Sequence, residues 1–377
     1  MALVLSRFRC GGFLVCTMIT KTNSADWKSV LKADPTAWLL EESNQSVRYF
    51  TLKDILGAAE QDSDVKAAHK AIMSAGIVPR ILEKQNPDGS WGEPSDFYLR
   101  CKYQGTVWTV ILLAELGADG KDKRIQKAAE FILANSQDKQ SGGFAVQSGA
   151  DGGEHERVIP CLTGNMLYSL IRFGWLDNPA VQRGISWITQ YQRFDDGVAQ
   201  APQGWPYQRF PNCWGKHTCH MGAVKSLKAL AEIPAQKRDA AVRNTIQDGA
   251  EYLLIHHLYK SSHDPAVVAK KFWLNFSFPT LWKTDALEML GLMVKLGYRD
   301  ACMQAALDLL ISKQDDQGRW QMEKSYNKRL IASLEKDGKP SKWVTLKALR
   351  VLKEINGKEF TLSHFRKGGL RGIYFLD

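Results

Sequence analysis

Apolar side chains recur along this chain with a helical period, in two kinds of segment. Six runs are apolar almost throughout, at 46–57, 103–117, 161–174, 217–233, 284–297 and 345–357. Each is about four turns long, and most close on a glycine suited to the left-handed position after a helix. Such runs are too apolar to face water on any side. Between them lie amphipathic runs such as "DKRIQKAAEFILANSQ" (122–137) and "RDACMQAALDLLISKQ" (299–314), with apolar residues at i, i+3, i+4 and i+7. The pattern predicts inner helices wrapped by outer ones, with almost no strand.

The connections repeat too. "LEKQNPDGSWG" (82–92), "LANSQDKQSGGF" (133–144), "TQYQRFDDGVA" (189–199) and "LISKQDDQGRW" (310–320) carry Gln followed by Asp and Gly, and "LIHHLYKSSHD" (254–264) is a degenerate copy. Gln85, Gln137, Gln192 and Gln314 stand 52, 55 and 122 residues apart, the last interval spanning two units. Self-similarity at this period marks a repeat architecture. Six inner helices close a ring, so the predicted fold is all-α: a closed (α/α)6 toroid over residues 26–360. Residues 1–25 read as a disordered or targeting-like extension, and residues 361–377 as a basic tail.

Composition narrows the function little. The chain has 377 residues, 44% hydrophobic and 24% charged, which suits a globular protein. The formal charge of +10 tolerates anionic partners. No block of Lys or Arg and no nucleic-acid motif is present, so nucleic acid is not an expected partner. No apolar run reaches membrane-spanning length, so no integral membrane segment is expected. The seven scattered cysteines suit a reducing compartment, and the expected location is cytoplasmic, or exported if the N-terminal segment is a signal. Twelve tryptophans serve packing or line a cavity.

"KQNPDGSWG" and "KQDDQGRW" resemble the QW repeats of the squalene–hopene and oxidosqualene cyclases, a unit shared with the β-subunits of protein prenyltransferases. The resemblance covers roughly residues 45–355 and implies that the Gln, Asp-Gly and Trp positions are structural. The Asp-x-Asp-Asp acid of the cyclases is not matched. Asp195 and Asp196 of "RFDDG" lie in a repeat loop instead of on the inner wall. The prenyltransferase β-subunits hold a catalytic zinc, with an Asp-x-Cys at one inner-helix start and a His at another. In the farnesyltransferase type that His lies in a His-Thr-Cys sequence, which recurs here as His217-Thr218-Cys219. Cys161 resembles the zinc cysteine, but Ile159 replaces its Asp.

"PNCWGKHTCH" (211–220) gathers Cys213, His217, Cys219 and His220 at one inner-helix start, with Cys161 at the start of the preceding one. Zinc prefers thiolate and neutral imidazole. The expected metal site is therefore Cys161, Cys213, His217 and Cys219. The alternatives are plain packing and a metal-free nucleophilic cysteine beside a histidine. His220, Tyr207 and Asp285 are candidate catalytic residues near inner-helix starts, and packing is an equal reading for them. The resulting expectation is a zinc enzyme with its site at the mouth of an apolar cavity, acting on a hydrophobic isoprenoid, lipid or aromatic substrate. A carbohydrate-active toroid and a non-enzymatic ligand-binding toroid are the competing classes.

Overall fold

The computed structural model describes residues 8–10, 13–15, 27–98, 103–326 and 329–355. Among the described residues six inner helices alternate with five outer ones. They are α1 (Gln45–Phe50, continued by a π turn at Thr51–Ile55), α2 (Ser63–Ser74), α3 (Thr106–Glu115), α4 (Lys123–Asn135), α5 (Pro160–Arg172), α6 (Pro179–Tyr191), α7 (His220–Ala231), α8 (Ala240–Ile255), α9 (Ala286–Lys295), α10 (Gln304–Ser312) and α11 (Lys342–Ile355). The odd-numbered helices form the inner ring. Every residue of α3 is buried, as the unbroken apolar run requires. In α4 only the apolar stripe Ile125, Ala128, Ala129, Phe131 and Ile132 is buried.

The ring closes where α11 returns to α1. Lys353 donates to the carbonyls of Asp54 and Ile55 at 2.7 and 3.1 Å, and Arg350 pairs with Asp54 at 2.5 Å. The toroid expectation therefore holds. The basic tail at 361–377 lies outside the described residues. Within the N-terminal extension the described residues form one short antiparallel hairpin, Phe8–Cys10 with Phe13–Val15, where disorder or a targeting segment is the expectation.

The repeat loops show why Gln, Asp-Gly and Trp recur. Gln85 donates to the carbonyls of Gly89 and Arg124, at 3.0 and 2.8 Å. Gln137 does the same to Gly142 and Ala180, at 2.9 and 2.7 Å. Each glutamine thus pins its loop to the first turn of the next outer helix. The loop glycine then presses on that helix. At Gly89 (φ +93°) a Cβ would sit 2.5 Å from the Lys127 carbonyl oxygen, and at Gly142 (φ +85°) 2.7 Å from that of Arg183. No larger residue fits there. Trp91 and Trp320 are fully buried. Their indoles donate to the carbonyls of Ile81 and Leu310 at 2.9 and 2.7 Å, and their amides donate to Thr106 and Thr345 at 3.0 and 2.9 Å. The last loop has no following outer helix. Residues before α1 take that place: the Lys32 amide donates to the Gln314 side chain, and Gly318 packs on Ala33.

Candidate functional site

The C-terminal ends of the inner helices surround a cavity of about 1000 Å³. Its wall carries eight Lys and Arg side chains against six Asp and Glu, with Tyr49, Phe50, Tyr168 and Phe173 between them. This cavity lies at the other end of the ring from the helix starts, where the sequence places the expected site. No tryptophan lines this cavity. Trp91, Trp108, Trp187, Trp214, Trp273, Trp320 and Trp343 are all fully buried.

An ionic network crosses the cavity floor. Lys225, fully buried, donates to both oxygens of Glu288 at 2.8 and 2.7 Å and to Thr280 at 3.1 Å. One turn on, Lys228 reaches Glu288 at 3.1 Å and also bonds Glu115. Lys347 lies 3.8 Å from Glu115. The network therefore joins α3, α7, α9 and α11, and each charge is paired as burial demands. Burial works against the ionised Glu115 carboxyl, but Lys228 and Lys347 hold it down at about 2. Glu288 is likewise held well below the usual carboxylate range by Lys225, Lys228 and Lys347 against the penalty of burial. Burial lowers Lys225 to about 8 despite Glu288. Burial opposes the Lys228 ammonium too, but Glu115 and Glu288 raise its pKa well above that of an ordinary lysine. Lys228 also stands 4.2 Å over the Tyr168 ring, and burial keeps that phenol protonated. Glu115 and Glu288 flank Lys228 as a carboxylate pair, yet both are ionised. Neither is a general acid of the kind glycoside hydrolysis needs.

Nearer the mouth, the guanidinium groups of Arg172 and Arg350 lie 5.7 and 4.8 Å from the centre of the Phe50 ring. Arg350 pairs with Asp54, and Arg172 stands 4.0 Å from Glu232.

The opposite end of the ring is packed with aromatic side chains. The Trp282 indole donates to the Tyr103 hydroxyl at 3.1 Å, and Tyr103 packs on Tyr326 with ring centres 4.5 Å apart. Here lie the predicted metal ligands, and the structure divides them. Cys161, Cys213 and Cys219 are free, half-buried thiols. Cys302 is disulfide-bonded, which corrects the reading of uniformly free cysteines. His217 is 57% exposed in its side chain and bonds Asp196 at 3.0 Å. Among the described residues no three His, Cys, Asp or Glu side chains stand close enough to hold a metal ion. The ligand set Cys161, Cys213, His217 and Cys219 therefore does not fit zinc as arranged.

The other candidates have structural partners. His220 is buried, contacts the Leu258 carbonyl through Nε2 at 2.9 Å, and lies 4.5 Å from Trp273 between ring centres. Burial, with His256 adding to it, lowers its pKa to about 3, so it is a neutral core histidine. Tyr207 lies under Arg193 at 5.6 Å and edge-on to Trp214. Asp285 caps α9, accepting from the Glu288 amide at 2.8 Å and from Ser277 at 2.9 and 3.0 Å. Burial and the neighbouring Glu288 push its carboxyl up to about 6. None of Tyr207, His220 and Asp285 lines the cavity. Glu115, Lys228 and Glu288 do, and sequence reading passes over them. Their signal is a charge inside a run too apolar to face water: one in "ILLAEL", and two each in "KSLKAL" and "DALEML".

Residues 52–212 match the family model described as Squalene-hopene cyclase C-terminal domain. That match spans less than half of the chain. Among solved structures, a protein from Actinoplanes is similar at 12% identity, with 88% of this chain and 99% of that one covered and a TM-score of 0.42. A type II terpene cyclase from Scytonema, in complex with geranylgeranyl dihydroxybenzoate, is similar at 16% identity, with 83% and 87% covered and a TM-score of 0.38. No curated protein matches the chain. Among the described residues no helix is long and apolar enough to cross a membrane.

Proposed function

We propose that this chain is an enzyme of isoprenoid-type chemistry whose substrate is an amphiphile carrying an anionic group, bound in the cavity at the C-terminal ends of the inner helices. The observation that carries this reading is the cavity wall, where eight cationic side chains outnumber six carboxylates around an aromatic lining. An anion gains from the surplus of cations, and more so in a recess partly shielded from water. Arg172 and Arg350, each within 6 Å of the Phe50 ring centre, offer planar donor forks to a carboxylate or phosphate. The hydrocarbon part rests on Phe50, Tyr49, Phe173, Leu287 and Leu292. The match of residues 52–212 to the squalene-hopene cyclase C-terminal domain model supports an isoprenoid hydrocarbon.

In this reading Glu115 and Glu288 do not deliver the proton. Their lysines keep them ionised, and their task is to hold Lys228 as a fixed cation on the floor. The proton-bearing group beside it is the Tyr168 hydroxyl. Calorimetric titration of the full chain with geranylgeranoic acid and with its methyl ester tests the reading. The acid should bind at least tenfold more tightly, about 1.4 kcal/mol, and Arg172→Met with Arg350→Met should remove the difference. Equal binding of acid and ester, or no binding of either, contradicts it.

A further inference from the structure

The turn from Cys213 to Cys219 is tied as a small hairpin. Trp214 and Thr218 form an antiparallel bridge, and the Cys219 amide donates to the Cys213 carbonyl at 3.0 Å. The two cysteines are the next pair out, directly across from each other. Opposed residues joined by such a bond stand about 5.5 Å apart at Cα, inside the roughly 4.4–6.8 Å span of disulfides. Both thiols are free and half-buried.

A third free thiol, Cys161, follows Pro160 at the start of α5. The first turns of α5 and α7 touch here: a Cβ at Gly222 would meet Pro160 Cγ at 3.0 Å and Cys219 Cβ at 3.9 Å.

We propose that Cys213 and Cys219 are a redox-active dithiol that closes to a disulfide across the hairpin on meeting a low-molecular-weight disulfide of the oxidised-glutathione class. Cys219, at the N-cap of α7, gives up its proton and attacks one glutathione sulfur. The glutathione S–S bond breaks, and the departing thiolate takes up that proton. The Cys213 sulfur then attacks the mixed disulfide, its proton going to the second departing glutathione. Two protein thiols are oxidised and one glutathione disulfide is reduced to two thiols, so atoms and electrons balance.

Lys216 lies between the two cysteines, which makes the test direct. The reduced full chain is equilibrated with glutathione buffers of rising potential, quenched with acid, alkylated and cut with trypsin. Cleavage after Arg209, Lys216 and Lys225 gives peptides 210–216 and 217–225, which remain joined only through a Cys213–Cys219 disulfide. The joined pair should rise with potential as a two-electron transition, and Cys213→Ser should instead accumulate glutathione on Cys219. Joining mainly to peptide 158–172, which carries Cys161, overturns the assignment. So does an absence of joined peptide while unfolded protein oxidises normally. Retention of one zinc by the reduced protein, lost in Cys219→Ser, would replace the dithiol with a metal site.

Discussion

Replacing Lys228 with methionine removes the cation that two buried carboxylates share. Methionine roughly preserves the side-chain length, so the main loss is charge. Glu115 is held at about 2 against an ordinary 4.5. At about 1.4 kcal/mol per unit of pKa, that is on the order of 3 kcal/mol of stability at neutral pH. Breaking a buried pair at one partner costs about 3–5 kcal/mol. Glu288 keeps both bonds from Lys225, so the lower end of the range applies. Because the folded carboxyl is depressed, its contribution is complete above the unfolded value near 4.5 and disappears as pH falls through about 2. In Lys228→Met the deficit should be about 3 kcal/mol at pH 7. It should shrink toward pH 5, as Glu115 is free to protonate. Urea denaturation of wild type, Lys228→Met, Glu115→Gln and the double variant measures this. The double variant should be more stable than Lys228→Met alone, because no unpaired charge is left. A Lys228→Met cost under about 1 kcal/mol, or strict additivity of the two changes, refutes the buried network.

Trp91→Ala and Trp320→Ala should each cost about 3–5 kcal/mol in chemical denaturation, as for a buried aromatic truncated to a cavity, with ligand affinity of the folded fraction unchanged. Gly164→Ala should cost about 1–3 kcal/mol by overpacking and lower Tm, because its Cβ would meet the Lys225 carbonyl at 2.4 Å and force α5 from α7. His220, held neutral down to about 3, contributes stability that is complete above about 6.5 and is lost as pH falls toward 3. His220→Gln should flatten the stability profile over that window, and an unchanged slope would show that His220 does not carry it.

The ring was legible because its inner helices have no solvent face. The runs at 103–117 and 161–174 match α3 and α5 with boundaries shifted by one to three residues, since caps and not apolarity set the ends. The repeat loops were legible for the same reason: Gln85 and Gly89 act on the next helix through fixed geometry. The site was less legible. "HTCH" promised ligands, but His217 is taken by Asp196. That pairing depends on the loop carrying Asp196 meeting the 213–219 hairpin, a contact that local spacing does not encode. Glu115, Lys228 and Glu288 converge only once the ring closes. Each is a charge in an otherwise apolar run, and only their meeting shows that the charges pair.

The central claim is that the working end of the toroid is the charged cavity at the C-terminal ends of the inner helices. A crystal structure of the full chain grown with geranylgeranoic acid tests it most directly. The account predicts the carboxylate within hydrogen-bonding reach of Arg172 and Arg350, with the hydrocarbon running past Phe50 toward Leu287 and Leu292. A ligand lodged instead at the opposite end, among Tyr103, Trp282 and the three thiols, with the charged cavity empty, would contradict it.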